Sequence, residues 1–472
     1  MKEYDVAIIG AGTAGLTARA EVVKHTDNYV VIDGGILGTT CARVGCMPSK
    51  ALIEVANTFH KRILFDRYGL GNSDIGIPDY KKVMAHVRSL RDRFAGGVVR
   101  DMEAWKDHFI PENARFIDSN TLDVGDKRIR AKKIIIATGS KPFVPDAWKK
   151  YSRYFLDTDH FFELETIPEK IAVFGLGPIG IELGQALTRL KIDVVAMIRR
   201  KVIGGLTDPE IQAYAHQCFA SEMNIQVGSF DILEAVDNQL KVSCNGHTWT
   251  IDRVLPALGR RPVLKGLGLE NLGVQLDPKG MPIYNAATLQ IQDLPVFIAG
   301  DVNGFRPILH EAADEGRIAG YNAVSPDIGC FEKRTPLHIT FSSPNICIMG
   351  QSYADLIDNK VEFVTGQTDY EHQGRAMILG QNRGKVNIYG DKKDGRLLGA
   401  EMIAPAGEHM AHLLAWAIAN QMRAKDVLSM PFYHPVLEEA LRTALRMIVK
   451  HSREPRPEFE FKRCEERADI KA

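Results

Sequence analysis

Short apolar runs closed by glycine set the pattern of this chain. The run Asp5-Val-Ala-Ile-Ile9 carries no polar alternate, which predicts a strand over Tyr4 to Ile9 buried on both faces. It leads into Gly10-Ala-Gly12-Thr-Ala-Gly15, an alanine-rich helix, and a second apolar strand, Tyr29-Val-Val-Ile-Asp33. Strand, glycine turn, helix and strand in that order open a dinucleotide-binding βαβ unit. The same order returns at Ile171 to Phe174, Gly175-Leu-Gly177-Pro-Ile-Gly180, a helix through Leu190 and a strand from Val194 to Ile198. Two such units are therefore predicted in one chain.

Between them, Lys81 to Trp105 reads as helix, Arg115 to Ile117 as a short strand, and Lys133 to Ser140 as an apolar strand ending in Thr-Gly. Beyond the second loop, Arg253 to Pro262 and Val296 to Asp301 read as two further buried strands, the latter returning to the first unit. From Thr335 the pattern changes. Alternating segments at Val361 to Tyr370 and Lys385 to Tyr389 predict antiparallel sheet, and Glu408 to Asn420 and Leu437 to Lys450 predict helices. The expected fold is α/β, with two Rossmann-like domains and a C-terminal α+β unit. Its boundaries are expected at 1–145, 146–268, a return at 269–334, and 335–472 with a charged tail from His451 to Ala472.

Composition narrows the function classes. The 472 residues suffice for roughly three domains. With 59 basic against 59 acidic residues, no global field recruits nucleic acid or anionic membrane. No apolar run approaches the ~20 residues of a membrane span. Met1 stands just ahead of the first strand and leaves no room for a leader, so a cytoplasmic location is expected. Of seven cysteines, Cys218, Cys244, Cys330, Cys347 and Cys464 are scattered singly. That is no secreted disulfide scaffold.

Each glycine loop has a chemical reading. Gly10 permits the tight turn, Gly12 lets a pyrophosphate approach the backbone, and Gly15 lets the helix pack on the strand; Gly175, Gly177 and Gly180 repeat the set. The phosphates would sit on the helix N-terminus. Asp33, ending the next strand, is placed for a ribose diol. The second unit has no such acid, because Ile198 is followed by Arg199-Arg200-Lys201. Arginines there suit the 2′-phosphate of NADP; the alternative is a solvated basic cluster beside bound NAD.

Cys41 and Cys46 stand in Gly38-Thr-Thr-Cys41-Ala-Arg-Val-Gly45-Cys46-Met-Pro48-Ser-Lys50. Four intervening residues with a flexible Gly45 allow the sulfurs to meet. Pro48 suits a first helical turn, which would place Cys46 at a thiolate-stabilising N-terminus. The other readings are half a zinc site, lacking a second ligand pair, or two inert thiols. Among fourteen histidines, His434 stands out. In His434-Pro435-Val-Leu-Glu-Glu439 the proline is expected to start a helix, with Glu439 about one turn in, where a carboxylate can fix the imidazole tautomer.

From residue 1 to about 450 the chain resembles the class I flavoprotein disulfide oxidoreductases, with a layout most like the dihydrolipoamide dehydrogenases. The residues that carry the likeness are the first glycine loop, Cys41 to Lys50, Ala137-Thr-Gly-Ser140, Gly175 to Glu182, Leu258-Gly-Arg-Arg-Pro262, Ala299-Gly-Asp301, and His434-Pro435 with Glu439. The resemblance implies FAD at the first loop, with Asp301 on the ribityl chain and Lys50 near the flavin, paired with Glu182. Thr40, Thr138, Gly139, Ile179, Gly259 and His310 are further cofactor-binding residues by the same carry-over. It makes Cys46 the flavin-facing thiol and Cys41 the thiol that meets substrate. It also makes the C-terminal unit a dimerisation domain, and His434 the acid-base group reaching the other subunit of a homodimer. The implied reaction joins NAD or NADP to dihydrolipoamide and lipoamide, in a possible 2-oxo acid dehydrogenase complex.

Two departures bear on substrate. Ala42-Arg43 replaces the family's usual Leu-Asn, and Phe432-Tyr433 replaces its His-x ahead of His434. With Arg199 and Arg200, they keep open an NADPH-dependent reductase of another low-molecular-weight disulfide. A docking subunit of an acyl-transfer complex is a third reading, which the intact catalytic set opposes.

Overall fold

The computed structural model describes residues 1–74, 76–455, 459 and 461. Most of the charged tail expected after His451, including Cys464, lies outside the described residues. The first sheet runs in the order Phe109–Ile110, Tyr29–Ile32, Lys2–Ile9, Lys127–Ile136, Thr121–Val124, Ala114–Phe116, and Val296–Ile298 also pairs with Lys127–Ile136. Its inner strands are parallel, with Ile8 opposite both Val31 and Ile135, and Ile135 opposite Phe297. Val6, Ala7 and Ile8 are fully buried, as an apolar run covered on both faces requires. The strand at Val296 thus returns to the first sheet as its apolar pattern predicts.

The helix after the first glycine loop, Thr13–Val22, packs against Leu309–Val324. Small residues allow this close approach. A Cβ on Gly316 would stand 2.3 Å from the Ala14 carbonyl oxygen, and one on Gly320 2.6 Å from that of Ala18.

The second sheet is wholly parallel: Asn224–Val227, Asp193–Ile198, Lys170–Phe174, Arg253–Pro256. The strand expected over Arg253 to Pro262 is split. Left-handed Gly259 (φ +95°) turns the chain, and Arg260–Pro262 pairs antiparallel with Ser140–Pro142 instead. A separate antiparallel sheet, Phe230–Val236, Gln239–Cys244, His247–Ile251, is inserted between the Asn224–Val227 and Arg253–Pro256 strands of the parallel one. Its strands are not among those expected above from the sequence.

The C-terminal sheet is antiparallel throughout, in the order Leu337–Thr340, Asn345–Gly350, Leu397–Ala404, Lys385–Asp391, Phe363–Asp369. Helices Gly407–Ala419 and Glu439–His451 pack on it, and all of Leu397–Ala404 is buried. One expectation needs correction here. Pro435 does not start the last helix, and Glu439 is its first residue, not one turn in. The Glu439 carboxylate instead folds back to accept the Val436 N–H at 3.2 Å, while Leu437 enters the core and the helix begins only after it.

Candidate active site

The two glycine loops fold alike. Gly10 and Gly175 are left-handed (φ +112° and +91°), and Cβ atoms there would stand 2.3 and 2.5 Å from the carbonyl oxygens of Ala137 and Ala257. On Gly15 and Gly180 they would stand 1.8 and 2.0 Å from the carbonyls of Gly10 and Gly175. Gly12 and Gly177, by contrast, have nothing within 4 Å on that side. Each loop therefore leaves one open backbone face at a helix N-terminus, a cradle that fits a dinucleotide pyrophosphate.

Around the first loop, Asp33 accepts the Ala11 N–H at 2.7 Å and the Gly35 N–H at 2.8 Å, which fixes its carboxylate with lone pairs to spare for a ribose diol. Asp301 accepts the Ser140 hydroxyl at 2.7 Å, and Arg260 donates to that hydroxyl at 2.8 Å and to the Ser140 carbonyl at 2.7 Å. Sequence reasoning missed this Arg260–Ser140 relay, which depends on the unforeseen pairing of Arg260–Pro262 with Ser140–Pro142. The Thr138 hydroxyl donates to the Val263 carbonyl at 2.7 Å, and Gly139 is left-handed with open space around it. Thr40 and His310 are exposed, the first opening the short helix Thr40–Arg43 and the second near the start of Leu309–Val324. Another missed group is Glu315, buried, which accepts from the Gly300 N–H at 2.7 Å and from Asn303 at 2.6 Å beside Asp301. The glycine and open-face geometry thus fits FAD at this loop.

At the second loop, a cavity of ≈ 100 Å³ brings together Gly177, Ile179, Gly259 and Arg260. Arg199 and Arg200 are exposed at the end of Asp193–Ile198, with the Arg199 guanidinium 6.0 Å from the Phe230 ring centre. This set fits a second dinucleotide.

The thiols stand between the two glycine loops in the order of the chain. Thr39 caps the short helix through a bond from the Ala42 N–H at 3.3 Å, and the helix Cys46–His60 begins at Cys46 itself. Gly45 makes the turn: a Cβ there would lie 3.0 Å from the Thr40 carbonyl oxygen and 3.3 Å from Cys41 Cα. Both cysteines are free and half-buried. The Cys41 thiol hydrogen-bonds to Cys46 and, with the Lys50 ammonium, holds the Cys46 thiol down to about 7 against the cost of burial. The same bond, with burial, pushes Cys41 far up. Cys46 is thus the more acidic thiol of the pair. Arg43, two residues beyond Cys41, has a buried Nε without a partner.

Lys50, one turn after Cys46, reaches Glu182 at 2.8 Å, on the helix Pro178–Arg189 that follows the second loop. Glu182 is buried, and its other oxygen accepts the Phe341 N–H at 2.8 Å. The Lys50 ammonium also lies 4.8 Å from the Phe341 ring centre. Three parts of the chain thus meet at this ion pair. His434 does not join them: it pairs with Glu439, Nδ1 lying 3.1 Å from both carboxylate oxygens, and its side chain is 81% exposed. That bond and the Val436 N–H hold the Glu439 carboxyl below its usual range. Tyr433 beside it is exposed as well.

Comparison with known proteins agrees with this layout. Residues 4–316 match the pyridine nucleotide-disulphide oxidoreductase family, and residues 337–445 match the dimerisation domain of the same family. The dihydrolipoyl dehydrogenase of Bacillus subtilis (strain 168) is 26% identical over 95% of this chain and 97% of its own length. The mitochondrial dihydrolipoyl dehydrogenase of Rattus norvegicus is 30% identical over 94% of this chain and 90% of its own. Among solved structures, the Cu(II) complex of the HOCl-induced flavoprotein disulfide reductase RclA from Escherichia coli superposes with a TM-score of 0.82 at 19% identity, covering 94% of this chain and 99% of that one. That likeness speaks for the fold. Among the described residues, no helix is long and apolar enough to cross a membrane, and no cluster of side chains could hold a metal ion.

Proposed function

We propose that this chain, which belongs to the pyridine nucleotide-disulphide oxidoreductase family, is a cytoplasmic homodimer that joins NADP or NAD to a thiol–disulfide couple through Cys41 and Cys46, with dihydrolipoamide and lipoamide as the first candidate couple. The observation that carries this reading is the pair of unequal thiols in a chain with two dinucleotide cradles, the Cys46 thiol lowered at a helix N-terminus and tied through Lys50 and Glu182 to the helix of the second cradle. Gly10, Gly12, Gly15, Asp33 and Asp301 would hold FAD, and Gly175, Gly177, Ile179, Gly180 and Gly259 the nicotinamide nucleotide. Bound FAD would supply electron-pair transfer between the nicotinamide and the protein disulfide.

The chain's own groups do the sulfur chemistry. In the reductive direction the Cys41 sulfur, deprotonated by His434, attacks one sulfur of the substrate disulfide. A mixed disulfide forms, and the leaving sulfur takes its proton from His434. The Cys46 thiolate then attacks Cys41, restoring the Cys41–Cys46 disulfide and releasing the second substrate sulfur as a thiolate, which takes its proton from solvent. Glu439 keeps the His434 tautomer fixed and stabilises its protonated form. Lys50 holds negative charge at Cys46, and Glu182 holds Lys50. With dihydrolipoamide as donor every step reverses.

A second reading, an NADPH-dependent reductase of another low-molecular-weight disulfide, draws on Arg199 and Arg200 at a strand end without a carboxylate. A steady-state panel separates the two: dihydrolipoamide with NAD, lipoamide with NADPH, and glutathione disulfide with NADPH. The lipoamide reading expects turnover in the first two and is lost if neither proceeds. Arg199→Ala with Arg200→Ala should raise KM for NADPH about tenfold more than KM for NADH. Equal change for both nucleotides would remove the arginines from recognition.

A further inference from the structure

Away from the thiols, buried polar groups concentrate where the second nucleotide unit meets the C-terminal sheet. Glu401, in the strand Leu397–Ala404, is 0% exposed. Its carboxylate accepts the backbone N–H groups of Thr207 at 2.7 Å, Asp208 at 3.0 Å and Tyr353 at 3.0 Å, together with the Thr207 hydroxyl. Asn387, opposite Glu401 in the sheet, and Tyr389 each donate to one oxygen of Asp208 at 2.8 Å. The other Asp208 oxygen caps the helix Pro209–Ala220, accepting from Glu210 at 2.9 Å and Ile211 at 3.3 Å. A buried carboxylate is tolerated only when its lone pairs are met, and both are.

The segment Glu401 grips is the one that follows Arg199-Arg200-Lys201. Ile203 and Leu206 are buried, and left-handed Gly204 lies against Ile346 of the C-terminal sheet, where a Cβ would come within 2.6 Å of that side chain. The Gly204 N–H donates to the Leu176 carbonyl at 2.8 Å. Leu176 stands between Gly175 and Gly177. A continuous path of bonds and backbone therefore runs from Glu401 through Thr207 and Gly204 into the second glycine loop.

We propose that Glu401 is a positioning residue for the nicotinamide nucleotide. From the C-terminal unit, it fixes the segment 203–208 and so holds both the open face at Gly177 and the approach of Arg199 and Arg200. This rests on the reading of the second glycine loop as the nicotinamide site. In Glu401→Gln, a carboxamide has one acceptor oxygen and turns an NH₂ toward groups that are themselves donors, so the segment must shift.

The test uses the FAD-loaded enzyme mixed rapidly with NADPH or NADH in the absence of disulfide. The concentration dependence of flavin reduction gives a nucleotide Kd and a limiting rate. Glu401→Gln should raise Kd about tenfold, with the limiting rate and KM for disulfide unchanged. A carboxylate serving the fold alone would lower the unfolding temperature and leave Kd at the wild-type value, and that result overturns the proposal. If Glu401→Gln gives no folded flavoprotein, Thr207→Val removes the one hydroxyl that donates to Glu401 and accepts the Ala354 N–H at 3.0 Å. It should raise Kd about threefold, and an unchanged Kd again overturns the proposal. Wild-type enzyme that binds neither nucleotide would sink the nicotinamide reading together with the proposal, whereas tight wild-type binding with an indifferent variant sinks the proposal alone.

Discussion

Lys50 with Glu182 and His434 with Glu439 both set a nitrogen group against a carboxylate in the same proposed chemistry, yet they are built in opposite ways. The first is enclosed: Glu182 is buried, Lys50 is one-third exposed, and the partners come from distant parts of the chain. The second is local, five residues apart, and the imidazole stands in solvent with Nδ1 already tied to its carboxylate. An acid-base pair assembled in advance with its other nitrogen free needs a surface to work against. The half-buried thiols, conversely, have one sulfur lowered to about 7 and, among the described residues, no histidine partner. In the proposed mechanism the thiols and the histidine are two halves of one centre. A two-fold partner would close both at once, since an isologous interface repeats each contact. The dimerisation domain at 337–445 contains His434 and Glu439.

The largest effects should come from the sulfurs. Cys41→Ser or Cys46→Ser should cut disulfide turnover by about 10³-fold or more while nicotinamide nucleotide Kd stays put, measured by steady-state rates and by titration. Turnover within tenfold of wild type in either variant would dismiss the pair as the redox centre. Next, His434→Gln should slow thiol exchange by about 10²- to 10⁴-fold with little change in melting temperature, because an exposed side chain contributes little to packing. Glu439→Gln should act in the same direction by about tenfold.

The enclosed pair predicts a subtler effect, read in a titration. The Cys46 thiol is held down to about 7, so its thiolate is present above that pH and is lost as pH falls through it. Lys50 favours the thiolate and Glu182 opposes it. Lys50→Met should therefore move the thiolate absorbance step of the reduced enzyme to higher pH, and Glu182→Gln to lower pH. A step in the same place in both variants, or one that survives Cys46→Ser, would show that another group titrates.

Both dinucleotide units were legible in the sequence because each glycine answers a local demand. The first makes a left-handed turn, the second leaves room, the third avoids its neighbour's carbonyl. The local order of residues also carried the cysteine turn and the strands at 363–369 and 385–391, although their burial does not alternate. Contacts between distant segments were not legible. The Arg260–Ser140–Asp301 relay needs a strand pairing that no local pattern announces, and the Glu401 knot joins residues nearly two hundred positions apart. The start of the last helix was misread because Pro435 suits a first turn in isolation, whereas the backfolded Glu439 carboxylate and buried Leu437 set it later. The antiparallel sheet at 230–251 was passed over although its signal was present. Asp237-Asn238 and Asn245-Gly246 are two-residue turns with both residues left-handed, the conformation that a tight hairpin selects.

The claim that one chain's thiols work with the other chain's histidine is tested most directly by mixing subunits. Cys41→Ser and His434→Gln homodimers, each inactive in disulfide turnover, are dissociated and reassociated together, and the mixed dimer is isolated by differing affinity tags. It should regain about half the wild-type rate, since one of its two centres receives an intact Cys41 from one chain and an intact His434 from the other. A mixed dimer as inactive as its parents would contradict the account and place the thiols and the histidine of each centre in the same chain.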